Sequence, residues 1–167
     1  MNIKIIKTGY LKENCYVIIK NNNAIIIDPG DEKNKIIEEC KGLNVKGILV
    51  THFHFDHVGA LEKVKEYYHI KEINNYINDF DYEIIKTPGH SSDSISFYFK
   101  KEKIMFVGDF IFENGIGRTD LESGSIIDMK NSLAKISKYD DDIILYPGHG
   151  NKTILGKEKI RFNSYFC

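Results

Sequence analysis

The segment His52-Phe53-His54-Phe55-Asp56-His57 packs four metal-ligand side chains into six residues. Where the chain is extended, residues i and i+2 point to the same side, so His52 and His54 can reach one metal ion together. Asp56 and His57 fall where a helical pattern begins, so the chain turns there and aims them elsewhere. Imidazole and carboxylate suit zinc, iron or manganese. The bland alternative is a polar turn with surface histidines, and four such groups at this density argue against it.

Three more residues of the same chemistry stand further along, at His90, Asp109 and His149. Each is weak taken singly, since Pro88-Gly89-His90 and Pro147-Gly148-His149 are ordinary turn sequences. Together they raise the set to seven. One catalytic zinc uses three protein ligands and an open position. Seven ligands therefore fit two ions, three on each and one shared.

The elements that must position these residues follow from the apolar runs. Strands are expected at 2–7, 14–20, 24–28, 47–51, 82–87, 94–99, 103–107 and 142–146. Helices are expected at 33–41, 58–68, 125–137 (capped by Ser125) and 157–165. Five apolar runs each end in a polar turn: Asp28-Pro29-Gly30, Thr51 to His57, Thr87 to His90, Gly108-Asp109 and Pro147 to Gly150. Strand ends of this kind are where sheet proteins gather ligands. Two sheets with helices outside, or one sheet covered on both faces, both fit this pattern.

Bulk properties narrow the class. The 167 residues suit a single domain, and 42% apolar residues can pack its core without staples. The net charge of −1, from 23 basic and 24 acidic residues, gives no electrostatic ground for a nucleic-acid partner. No apolar run is long enough for a membrane span, and the N-terminus lacks the pattern of a signal peptide. Cys15, Cys40 and Cys167 are odd in number and form no CxxC, which points to a reducing, cytoplasmic setting rather than a disulfide framework.

The order His52-x-His54-x-Asp56-His57, His90, Asp109, His149 resembles the metallo-β-lactamase superfamily. The resemblance runs from Asn14-Cys15-Tyr16 to His149-Gly150. It implies an α+β fold, a four-layer αββα sandwich over residues 1–167, with the metal site at one edge of two packed mixed sheets. It implies two divalent ions, zinc first and iron or manganese as alternatives. His52, His54 and His90 would hold one, and Asp56, His57 and His149 the other, with Asp109 bridging. Asp56 is also the catalytic candidate, orienting the attacking hydroxide. Asp28 would support the metal loop by orienting a ligand histidine. His69 matches no motif position and is expected at the surface.

Within that superfamily, Gly115-Ile116-Gly117-Arg118-Thr119-Asp120 looks like the glyoxalase II branch and its short bacterial relatives, and persulfide dioxygenases share it. Arg118 would buttress the loop or meet an anionic substrate; an ordinary glycine loop with a surface salt bridge is the alternative. The resemblance implies hydrolysis of a small-molecule thioester or ester by metal-activated hydroxide, with hydroxyacyl-thiol conjugates foremost. Its rivals are a mononuclear iron persulfide dioxygenase using His52, His90 and Asp109, and a lactonase or other esterase. Two features depart from the glyoxalase II pattern. Only 18 residues follow His149, where that branch carries a C-terminal helical region, and His90-Ser91-Ser92-Asp93 replaces its usual His-Thr-x-Gly.

Overall fold

In the computed structural model, which describes residues 1–166, the chain folds as two compact units, Met1–Asp81 and Tyr82 onward. The first unit carries a four-stranded mixed sheet of β1 (Asn2–Thr8), β2 (Glu13–Lys20), β3 (Asn23–Ile27) and β4 (Asn44–Leu49), in that order. β1, β2 and β3 pair antiparallel, and β3 pairs parallel with β4 after a crossover through helix α1 (Lys33–Glu39). The middle strands are buried along nearly their whole length, as their runs of Val and Ile demand. Helices α2 (Phe55–Val58) and α3 (Leu61–Tyr68) follow β4. Ile36, Leu61 and Val64 pack with Ile6, Val17, Ile26 and Ile48 into one apolar cluster.

The sequence pattern gave one helix over 58–68, and the structure divides the segment 55–68 into two. The Ala60 N–H turns to the carbonyls of Pro29 and Gly30, at 3.0 and 3.1 Å. Gly59 lies so close to the Gly30 carbonyl that a β-carbon there would collide with it. The break ties the turn between the two helices to the Asp28-Pro29-Gly30 turn.

The second unit carries a five-stranded mixed sheet. It is built from β5 (Glu83–Lys86), β6 (Ile95–Phe99), β7 (Ile104–Gly108), β10 (Ile144–Pro147) and β11 (Thr153–Ile154), with order β11-β10-β7-β6-β5. Only β10 and β7 run parallel, joined through helix α4 (Ile126–Ile136). The expected Ser125 cap is present: its hydroxyl accepts the Asp128 N–H at 3.2 Å. Met129, Leu133 and Ile136 of α4 bury their face against Met105, Val107 and Leu145.

The strand and helix order matches the sequence reading, with differences at short elements. A small hairpin, β8 (Ile111–Phe112) and β9 (Gly115–Ile116), was not anticipated, nor was β11. Two-residue strands leave no periodic signal; the hairpin's only mark is Asn114-Gly115, with Asn114 in the left-handed region at φ 62°. The expected helix over 157–165 is instead helix α5 (Leu155–Lys159) followed by a 3-10 turn over Phe162–Phe166. Cys15 and Cys40 are buried free thiols, and burial pushes both up, Cys40 to about 11. Cys167 lies outside the described residues. Among the described residues no helix is long and apolar enough to cross a membrane.

Candidate functional site

In the first unit, His52, His54, Asp56 and His57 follow β4 directly. His52 Nε2 and His54 Nδ1 lie 3.1 Å apart. Two nitrogens on one tetrahedral zinc, each at 2.0–2.1 Å, stand about 3.3 Å apart, so this spacing suits a shared ion. Asp56 and His57 open α2, with Asp56 Oδ2 3.9 Å from His57 Nε2. His57 is fully buried, and Asp56 keeps part of its carboxylate exposed.

Asp28 organises this segment from behind. Its backbone takes the left-handed conformation at φ 51°, which aspartate tolerates better than most residues. Its Oδ1 accepts the Thr51 N–H at 2.7 Å. Its Oδ2 accepts the Thr51 hydroxyl at 2.7 Å and His57 Nδ1–H at 3.0 Å. The His57 bond puts the ring proton on Nδ1 and the lone pair on Nε2. Thr51 extends the same control. Its hydroxyl proton is committed to Asp28, so its oxygen accepts from His52 Nδ1, 3.1 Å away, and the His52 lone pair also sits on Nε2. Asp28 thus bonds a candidate ligand histidine directly, and Thr51 adds a relay that the sequence did not reveal.

Glu13 is a second residue the sequence reading passed over. It is fully buried at the start of β2, with Oε2 accepting the Thr8 hydroxyl at 2.7 Å and Oε1 3.9 Å from His57 Nδ1. Burial holds its carboxyl well above the usual range, reinforced by the negative charge of Asp28 and opposed by His57. An acid with a raised folded pKa takes up a proton on folding, so stability falls as pH rises from the unfolded value near 4.5 toward the folded one. Glu13→Gln is expected to flatten that decline in metal-free protein, measured by urea unfolding across pH 5 to 9. An unchanged slope would remove Glu13 as its source.

In the second unit, His90 follows β5, Asp109 follows β7 and His149 follows β10. A single oxygen, Asp109 Oδ2, stands 3.6 Å from His90 Nε2 and 3.6 Å from His149 Nε2. One carboxylate oxygen therefore lies within reach of an ion held beside either histidine. The His90 ring is fixed by a bond from Nδ1–H to the Arg118 carbonyl at 2.9 Å; a carbonyl can only accept, so the lone pair is again on Nε2. Gly117 makes this possible. A β-carbon there would collide with the Asp109 carbonyl and press on the His90 side chain.

The Arg118 side chain is engaged elsewhere. Its guanidinium binds Asp120 bidentately at 2.7 Å on both arms, largely in solvent, and this pair holds the Asp120 carboxyl down to about 2. The Arg118 side chain thus forms the surface salt bridge, while its main-chain carbonyl bonds His90. Tyr146 is buried and stacks on Phe106, and His69 is exposed, as expected for His69.

Donor types, ring tautomers and spacings in each unit thus define clusters suited to metal ligation, carried by the ends of sheet strands. Comparison with known proteins gives the class. The family model described as the metallo-β-lactamase superfamily matches residues 8–82 and 74–149. The chain belongs to that superfamily and has its fold. It is 32% identical to the hydroxyacylglutathione hydrolase GloC of Haemophilus influenzae, over 95% of each chain. Among solved structures it is similar to the B3 metallo-β-lactamase BLEG-1, with a TM-score of 0.92, 29% identity, and coverage of 99% of this chain and 100% of the other. It is also similar to TTHA1623, solved in a di-iron-bound form, with a TM-score of 0.86, 26% identity, and coverage of 98% and 100%.

Proposed function

We propose that the chain is a binuclear metal-dependent hydrolase, a thioesterase of glyoxalase II type, acting as one metallo-β-lactamase-like domain over residues 1–167. His52, His54 and His90 would hold one ion and Asp56, His57 and His149 the other, with Asp109 shared between them. The observation that carries this reading is Asp109 Oδ2, equidistant from the Nε2 atoms of His90 and His149. Fixed Nδ1–H tautomers on His52, His57 and His90 support it, because each leaves the ligating nitrogen ready. Two zinc ions, when bound, would polarise a carbonyl and lower the pKa of water to about 7.

The chain's own residues set the rest. Asp28 and Thr51 keep the histidine rings from turning, so that ligation costs little reorganisation. Asp56 would help hold an ion and orient the attacking water by accepting its hydrogen bond. A thioester is the favoured substrate because the thiolate is a good leaving group and because GloC, the relative above, is a hydroxyacylglutathione hydrolase. The di-iron form of TTHA1623 keeps iron as the alternative metal.

Protein purified without added metal or chelator is expected to hold about two ions per chain and to hydrolyse hydroxyacyl thioesters. Chelation should abolish turnover, and zinc, iron or manganese should restore it to different degrees. One tightly held iron per chain, with oxygen uptake on a persulfide and no thioester hydrolysis, would replace this reading with the dioxygenase.

A further inference from the structure

Glu158, on α5, is fully buried, yet it takes no part in the clusters above. Its Oε1 accepts the Thr153 hydroxyl at 2.6 Å. Its Oε2 accepts the backbone N–H of Asn114 at 3.0 Å, with the Arg161 guanidinium 3.7 Å away. Asn114 is the left-handed residue at the tip of the β8–β9 hairpin. Burying a carboxylate is costly unless its oxygens are matched by donors, so this group is held by the hairpin as firmly as it holds it.

The hairpin reaches all three candidate ligands of the second unit. Its outgoing strand continues into Gly117, packed against the Asp109 carbonyl, and into Arg118, whose carbonyl accepts from His90 Nδ1. Its incoming strand places the Phe112 ring edge-on to the His149 ring, 6.5 Å between centroids. A further tie joins the neighbouring tip residue, Glu113, to Asn151, two residues beyond His149.

We infer that Glu158 is a positioning residue for the metal centre: it pins the β8–β9 hairpin so that the Arg118 carbonyl meets His90 Nδ1–H and turns Nε2 toward the ion. The inference rests on the proposed metal ligation, but its first readout does not need the metal. Nitrogen-15 spectra of the histidine side chains report the His90 Nδ1–H bond directly in chelator-treated protein. Glu158→Ala is expected to lose or strongly shift that signal. Glu158→Gln should keep it, because the amide oxygen still accepts from Asn114 and the amide N–H can donate to the Thr153 oxygen.

Metal competition with a coloured chelator supplies the second readout. Glu158→Ala should weaken binding of the ion assigned to His52, His54 and His90 roughly tenfold, the scale seen when a partner that orients a ligand is removed, and Glu158→Gln should restore most of it. Thermal melts separate the outcomes. If Glu158→Ala lowers the melting temperature while the His90 signal and the metal affinity stay at wild-type values, the residue is structural only and the inference fails. Should Glu158→Ala fail to fold, Glu158→Gln decides. Gln sustaining both readouts supports the role, and a fully folded Gln variant that loses them overturns the hydrogen-bond route. Wild-type protein that binds no metal, yet shows the His90 signal responding to Glu158, would sink the proposed function and leave this link standing.

Discussion

Asp109→Asn is expected to drop the metal content from about two ions per chain toward one and to cut kcat on the order of a hundredfold or more, with little change in folding. The asparagine keeps the size of the side chain and its place after β7, but removes the charge and leaves one acceptor oxygen instead of two. The Asp109 side chain is mostly buried, and the asparagine fills nearly the same volume without opening a cavity. A stability loss of the core-disrupting kind is therefore not expected. Metal analysis, steady-state kinetics and a thermal melt on one preparation distinguish the outcomes. Two ions held with full turnover would show that Asp109 bridges nothing.

Asp28 carries the second large effect, and there the prediction divides by substitution. Asp28→Ala would leave the Thr51 N–H, the Thr51 hydroxyl and the His57 ring N–H without their acceptor. Each buried donor stranded in this way costs about 1–3 kcal/mol, and the left-handed backbone adds about 1–2 kcal/mol once aspartate's local bonding is gone. These contributions overlap because they share one pocket, so a loss of about 4 kcal/mol is expected in urea unfolding.

Asp28→Asn tolerates the left-handed backbone and fills the same volume. Whichever way its amide turns, however, one N–H faces another donor, either at Thr51 N–H or at His57 Nδ1–H. That variant should stay folded yet bind metal about 10–100-fold more weakly, since the His57 and His52 rings lose their fixed tautomers. Unchanged metal affinity in Asp28→Asn would mean that the histidine orientation is set by packing alone.

Much of this was legible in the residues. The five apolar runs that end in polar turns are the strands β3, β4, β5, β7 and β10, and the residues at their ends are the ones the structure clusters within each unit. The Ser125 cap and the face of α4 were readable because a long helix repeats its signal several times. What escaped were single contacts. Glu13 is one acid at the head of an apolar strand, and nothing in its neighbours says it is buried beside His57. Thr51 reads as the last residue of a strand, while its importance lies in a hydroxyl whose proton and lone pair face different partners. The split between α2 and α3 escaped because it is made by carbonyls of the distant Asp-Pro-Gly turn. The hairpin's reach toward His90 runs through a main-chain oxygen, which carries no residue type.

That main-chain bond also separates two kinds of inheritance. His90 depends on the carbonyl of residue 118 and on the bareness of residue 117, whereas the side chain at 118 ends in a salt bridge out in solvent. Exchange of Gly117 for any larger residue disturbs His90, but exchange of Arg118 leaves the histidine's partner in place, because every amino acid brings the same carbonyl. A lineage can therefore rewrite the surface chemistry at this loop, one substitution at a time, without passing through a form whose histidine has lost its anchor.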